Sequence, residues 1–245
     1  MRAVTCYDVA DMAREQDEST SMQDGILPAV TQRVRHILRS LPEHVTVVAA
    51  AKGASVRQVS EALAAGIHVI GHNHIPEARR MRSQLIEPVE WHFIGRLRGH
   101  DVRASTLRLF TMIETVDSLE TARKIDAVCA ASNLRMAVLI EVNSGREPQK
   151  AGTLPEEAER LIRSIAQLPH VHVKGLMTMG PLGSTQEDYR PCFAETRRLF
   201  EQLRQLTITG VEMRHLSMGM SDSYRVAVEE GATMVRLGTA LFGPR

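Results

Sequence analysis

The chain has 245 residues, with 30 Lys or Arg against 29 Asp or Glu and a formal net charge of +1. Charges of both signs are spread along it, which argues against an electrostatic grip on nucleic acid or an anionic membrane, and no segment reaches the roughly 20 apolar residues of a membrane span. Cys6, Cys129 and Cys192 are far apart, show no metal-ligand spacing and read as reduced thiols, while "MRAVTCYDVADMAREQDEST" has early acids and no signal-like apolar run, so the expectation is a soluble cytoplasmic α/β protein.

Taken in chain order, Pro28–Leu41 reads as a helix through Val30, Val34, Ile37, Leu38 and Leu41. Val45–Ala51 is a strand, and Ser55-x-x-Gln58 is a capping box opening a helix through Val56, Val59 and Leu63 that stops at Gly66. Strands follow at His68–Gly71, Trp91–Gly95 and Met112–Val116. Asp117-x-x-Glu120 is a second box, leading into Leu119, Ala122, Ile125 and Cys129 at helical spacing. After strand Ala137–Val142, Pro155 opens a helix carrying Ala158, Leu161, Ile162 and Ile165. Strand Val171–Met177 precedes the longest helix, marked by Tyr189, Phe193, Thr196, Phe200 and Leu203. The last strands are His215–Met218 and Met234–Leu237, with helix Tyr224–Glu230 between them.

Eight short, mostly apolar strands alternating with helices predict a single (β/α)8 TIM-type barrel over residues 1–245. A doubly wound sheet is the structural rival, but the first strand is followed by Lys52-Gly53-Ala54 and not by a glycine-rich turn. The sequence ends at "FGPR" just after the eighth strand, so the eighth outer helix is expected to be missing. The N-terminal helical segment within residues 1–41 is expected to pack on the barrel in its place.

In a barrel the chemistry collects where strands end at their C-termini. Here those ends read Lys52, "GHNH", "WHFIGRLRG", Asn143, "GLMTMG", "SMGMSDS" and "RLGTALFG". The ends of strands seven and eight suit a phosphate: Ser217 and Ser221 offer hydroxyls, Gly219 and Gly238 allow close backbone approach, and Thr239 offers another donor. No acidic cluster accompanies them, which favours a phosphomonoester over a metal-held triphosphate. Lys52 ends an apolar strand, and Arg236 reaches the same bowl from strand eight, beside strand one on closure. An amine, a phosphate cup and an arginine suit pyridoxal 5′-phosphate (PLP): the amine for its aldehyde, the cup for its phosphate, the arginine for its ring nitrogen. The same lysine and cup would suit a Schiff-base aldolase acting on a phosphosugar. Taken alone, Lys52 reads more simply as a solvated lysine at a strand end.

The stretches "VAAAKGAS", "GHNHIPEAR", "WHFIGRLRG", "VNSGREPQKAG", "GLMTMGP", "LSMGMS" and "GATMVRLGTALFG" together resemble the pyridoxal phosphate homeostasis proteins, a PLP-binding family related in fold to the barrel domain of alanine racemases. The resemblance runs from about Val45 to the C-terminus. It implies PLP as cofactor, joined to Lys52 as an internal aldimine, with its phosphate on Ser217, Ser221, Gly238 and Thr239. It also implies Arg236 facing the pyridine nitrogen, Asn73, His92, Met177, Thr178 and Met218 lining the ring pocket, and Asn143 near the substrate side. The sequence departs from the family pattern at several points. Gly53 and Ala54 stand where the family has a threonine and often a lysine, and His72 replaces an acid in "GEN". Arg98, His100 and Asp101 replace a glutamine, an asparagine and a lysine, and Asp222 falls one position early. These changes lie at the rim and leave Lys52 and the cup intact.

Function divides between carrier and enzyme. An arginine at the ring nitrogen leaves that nitrogen unprotonated and the ring a weaker electron sink. Racemisation needs acid–base groups on both faces; Lys52 serves one, and alanine racemases supply a tyrosine for the other from an additional domain. Of Tyr7, Tyr189 and Tyr224, only Tyr224 falls near the site, and it reads poorly as a base. The expectation is therefore storage or delivery of PLP to PLP-dependent apo-enzymes by a monomer. No residue is assigned to catalysis unless Lys52 acts in a weak amino-acid racemase taking small amino acids. Zinc at His72, His74, His92 and His100 lacks a clear ligand set, and no metal is expected. Trp91 reads as a core anchor, Arg96, Arg98 and Arg103 as a solvated loop, and Glu147 with Lys150 as a pair that orders its loop.

Overall fold

Eight parallel strands close into a barrel in strict chain order: β1 (Thr46–Ala50), β2 (Val69–His72), β3 (Glu90–Phe93), β4 (Met112–Val116), β5 (Met136–Val142), β6 (Val171–Thr178), β7 (Val211–Ser217) and β8 (Met234–Leu237). This is seen in a computed structural model that describes residues 28–181, 185 and 187–244. Closure is made by β1, which pairs with β2 at Val48↔Val69 and with β8 at Val48↔Arg236. The (β/α)8 expectation is met.

Around the barrel run α2 (Val56–Ala64), α3 (Ile75–Arg82), α4 (Ala104–Leu107), α5 (Leu119–Ala131), α6 (Pro155–Ile165), α7 (Arg190–Gln205) and α8 (Tyr224–Glu229). Helix α1 (Ala29–Ser40) precedes β1, and a single turn, α9 (Thr239–Phe242), follows β8. That turn replaces the expected absence of any helix there. Helix α1 packs against both α2 and α9, and the Arg33 guanidinium donates to the Leu241 carbonyl at 2.7 Å. The N-terminal helix thus takes the outer position expected of it. Residues 1–27 of that segment, with Cys6 and Tyr7, lie outside the described residues.

Local signals explain most boundaries. Ser55 Oγ accepts from the Gln58 amide at 3.2 Å while Gln58 Oε1 accepts from the Ser55 amide at 2.9 Å, a complete capping box. The second box is displaced by one residue: Ser118, not Asp117, caps α5, accepting from the Thr121 amide at 3.3 Å. Strand β7 begins at Val211, earlier than its apolar pattern implies, because exposed Glu212 and Arg214 interrupt that pattern.

The strands bury both faces, in two unequal compartments. Outward residues such as Val47, Ala49, Ile113, Ile140, Leu216 and Met218 join the helices in one large core. Inward residues form two small apolar clusters, Val48–Val69–Met234 and Met112–Leu139–Met177. Polar side chains occupy the space that remains within the barrel, and they define the site.

Candidate functional site

Lys52 follows β1 in a tight turn. The Ala51 amide donates to Gly71 O at 2.9 Å, holding the strand end to β2, and the Ala54 amide returns to Ala51 O at 3.0 Å. Lys52 and Gly53 are the two central residues, and Gly53 has φ +74°, the left-handed value a type II turn requires at its second central position. The departure at Gly53 therefore has a backbone cause. Lys52 itself is exposed. Because Ala49 pairs with Leu237, Lys52 and the Gly238–Thr239 pair leave neighbouring strands at the same end of the barrel.

That end carries a cup of donors. Ser221 Oγ accepts from the Gly238 amide at 3.3 Å and the Ala240 amide at 3.1 Å, at the start of α9. Gly219 has φ +91°, and a Cβ there would lie 2.5 Å from Ala227 Cβ, so the β7–α8 connection closes only over glycine. Thr239 is exposed beside it. Ser221, Gly238 and Thr239 are therefore brought together, as the sequence predicts.

Below the cup lies a chain of buried polar groups. Arg236, 6% exposed, donates through Nη1 to Ser217 Oγ at 2.7 Å and through Nη2 to Thr178 O at 2.9 Å. Ser217 Oγ donates to Glu114 Oε2 at 2.7 Å, and Glu114 Oε1 meets His92 Nδ1 at 2.8 Å. Glu114, Ser217 and Thr178 are wholly buried. Burial opposes the Glu114 charge, but the His92 hydrogen bond, the His92 and Arg236 charges and the Ser217 hydroxyl outweigh it and hold the carboxyl below its ordinary range. Burial likewise draws the Arg236 pKa down while Glu114 and Glu141 support its charge.

Several expected residues fall elsewhere in this geometry. Ser217, read as a phosphate ligand, has its hydroxyl committed to Glu114 and Arg236. His92 lies deeper than a ring-lining residue, beside a cavity of about 450 Å³ at the opposite end of the barrel, with Nε2 buried, without a hydrogen bond and 3.7 Å from Glu90 Oε2. Met218 points outward into the helical core, since it follows inward Ser217 in the strand alternation. Met177 is inward, on the barrel floor. Thr178 contributes its carbonyl, its hydroxyl being donated to Val142 O at 2.8 Å. Asn73 is exposed at the end of β2, lining a rim cavity with Arg96 and Arg98. Asn143 braces its own loop through Glu147 O at 2.9 Å, while Lys150 binds Glu147 Oε1 at 2.6 Å and Gly180 O at 2.7 Å. That pairing is the loop-ordering role expected of Glu147 and Lys150.

Two carboxylates were not singled out from the sequence. Glu114 is one; Glu141, 7% exposed on β5, is the other. Burial, with Asp117 nearby, pushes the Glu141 carboxyl up to about 7 against the pull of Arg236 and Arg96. Each is a lone acid in an apolar strand, at a position whose alternation turns it into the barrel.

The fold and donor set define a class first: the family described as "Alanine racemase, N-terminal domain" matches residues 27–245. A protein of Aquifex aeolicus named pyridoxal phosphate homeostasis protein is 40% identical over 74% of this chain and 78% of its own length. PipY of Synechococcus elongatus, solved without PLP, superposes with a TM-score of 0.82 at 31% identity, covering 87% of this chain and 100% of PipY. The PipY structure with PLP bound gives 0.80 at 30%, with the same coverage. The chain belongs to the pyridoxal phosphate homeostasis protein family.

Proposed function

We propose that this chain binds PLP on Lys52 and holds it for supply to other proteins, without rapid turnover of its own. The observation that carries this reading is the clamped Arg236, whose remaining N–H groups stand at the floor of a bowl bounded by Lys52 and the Ser221–Gly238–Thr239 cup. The donor set fits the group: hydroxyl and amide donors for a phosphate, a guanidinium for a ring nitrogen, and an exposed amine for an aldehyde. When bound, PLP supplies an electrophilic aldehyde and an electron-accepting ring. Arg236 gives the ring nitrogen a donor that retains its proton, so it does not enhance the ring's electron demand. Ser221 can turn its oxygen from the Gly238 and Ala240 amides and leave them to the phosphate.

The carrier reading draws support from Tyr224. It is 8% exposed, and its hydroxyl accepts from Arg225 Nε at 3.3 Å, leaving it poorly placed as a second base. Among the described residues no helix is long and apolar enough to cross a membrane. Action in the cytoplasm, as a monomer supplying PLP-dependent apo-enzymes, is part of the proposal.

Incubation with PLP followed by borohydride should leave a pyridoxyl group on the peptide containing Lys52. Labelling that ignores Lys52→Ala would overturn the assignment. Interconversion of alanine enantiomers at rates typical of enzymes (median kcat about 10 per second) would overturn the carrier reading.

A further inference from the structure

We propose that Glu114 is a positioning residue for the cofactor: acting through Ser217, it fixes the orientation of Arg236 toward the ring nitrogen. The inference rests on the PLP reading above and names residues that reading does not need.

The direction of every bond in the chain is forced. A guanidinium has only donors and a carboxylate only acceptors. Ser217 has one hydroxyl hydrogen, so it must accept from Arg236 and give that hydrogen to Glu114. Ionised Glu114 accepts at both oxygens, so His92 presents Nδ1–H to Oε1. Four strands contribute one member each: β3 (His92), β4 (Glu114), β7 (Ser217) and β8 (Arg236). The Thr178 carbonyl on β6 holds the second guanidinium nitrogen. The plane of the guanidinium is therefore set by two acceptors, one of which is oriented by the Glu114 charge.

The burial makes this more than a structural pair. Glu114 has no exposure, so its charge acts on Arg236 across protein and not through water. Glu141 is the other carboxylate supporting the Arg236 charge, but its own ionisation is opposed by burial up to about pH 7. Glu114 is thus the carboxylate that stays charged beneath Arg236 under mildly acid conditions.

The test uses the full-length protein and the variants Ser217→Ala, Ser217→Thr, Glu114→Gln and Arg236→Lys. Readouts are the PLP dissociation constant, the absorption maximum of the PLP-loaded protein, and urea unfolding of the PLP-free protein. S217A and E114Q should weaken PLP binding five- to twentyfold and move the absorption maximum, while S217T, which keeps the hydroxyl, should retain both. In an R236K background, S217A should add less than twofold, because the chain then has nothing left to orient. Binding and spectra unchanged in both S217A and E114Q overturn the inference and leave the PLP reading standing. Additive losses in the R236K background overturn it as well, showing only a structural role. Should E114Q fail to fold, S217A and S217T decide the matter alone. Failure of the unaltered protein to take PLP at Lys52 would instead remove the PLP reading itself.

Discussion

The floor of the bowl and its rim are built on opposite principles. On the floor, Arg236, Ser217, Glu114 and His92 are at most 6% exposed and bonded in one fixed order. Outside it, Arg79, Arg80 and Arg103 line an open cavity of about 630 Å³ between α3 and α4, and Arg96 and Arg98 line a second of about 490 Å³ at the rim. All five arginines are exposed, and Arg103 spends its Nε on a backbone carbonyl, His100 O, at 3.0 Å. A charge on the floor has a single geometry and a high cost if its partner is lost. A charge at the rim has many geometries and little cost, and the departures from the family pattern at Arg98, His100 and Asp101 fall there. On the proposed function, binding is set at the floor and variation falls at the rim.

The largest break in this contrast should come from Arg236→Met. It removes a buried guanidinium that donates to Ser217 Oγ and Thr178 O, strips Glu114 of the charge beyond Ser217 and leaves it His92 alone, a loss of about 3 kcal/mol. Urea unfolding at neutral pH measures it, with an unchanged m-value showing that the fold is retained. PLP affinity should fall at least a hundredfold in the same variant.

Glu141 gives a second, pH-dependent break. Its carboxyl titrates near 7 in the fold, against an ordinary value of 4.5. The unfolded chain therefore releases this proton first as pH rises. Stability from this group is complete below about pH 4.5, is lost progressively through pH 7, and stays lost above it. Glu141→Gln mimics the protonated form at every pH. Its stability should lack this decline, keeping only the pH dependence of other groups such as His72 and His215, and should exceed the unaltered protein's at pH 8 by about 3 kcal/mol at most, using roughly 1.4 kcal/mol per pH unit. Equal pH profiles for the two proteins would show that Glu141 ionises freely.

The same contrast explains what the sequence made legible. Lys52, Ser221, Gly238 and Thr239 stand just past strand ends, where polar residues and glycines break an apolar run and are visible as such. Glu114 in "MIETV" and Glu141 in "VLIEV" are single acids inside runs that otherwise read as strand core, and only alternation marks them as facing into the barrel. Their partner Arg236 is distant in sequence and becomes a neighbour only on closure, so the pairing could not be read locally. Ser217 and Ser221 look equivalent in "SMGMS". The strand ends between them, turning one into the barrel and the other to the cup.

Gly53→Ala is a smaller probe of the turn that carries Lys52. An alanine at φ +74° costs about 1 kcal/mol. A thermal midpoint lowered by a few degrees, with the PLP absorption maximum unchanged, would separate the backbone of this turn from the chemistry of the floor. A shifted maximum would mean that the turn also sets the amine's approach to the cofactor.

The smallest equilibrium effect belongs to the rim. Arg98→Ala with Arg103→Ala removes two exposed charges, and stability should stay within about 0.5 kcal/mol. PLP affinity at physiological salt should change less than twofold, since the proposed contacts lie in the floor and cup. The rate of capture should behave differently. A phosphate monoester is an anion, and exposed cations around an open cavity raise its local concentration over a Debye length of about 8 Å at 0.15 M salt. At 10 mM salt, where that length is about 30 Å, association in stopped flow should be severalfold slower for the double variant, and the difference should vanish as salt is raised. Affinity falling in step with the association rate would fit steering alone. A faster dissociation rate would show that these arginines hold the ligand, and the division between floor and rim would then fail.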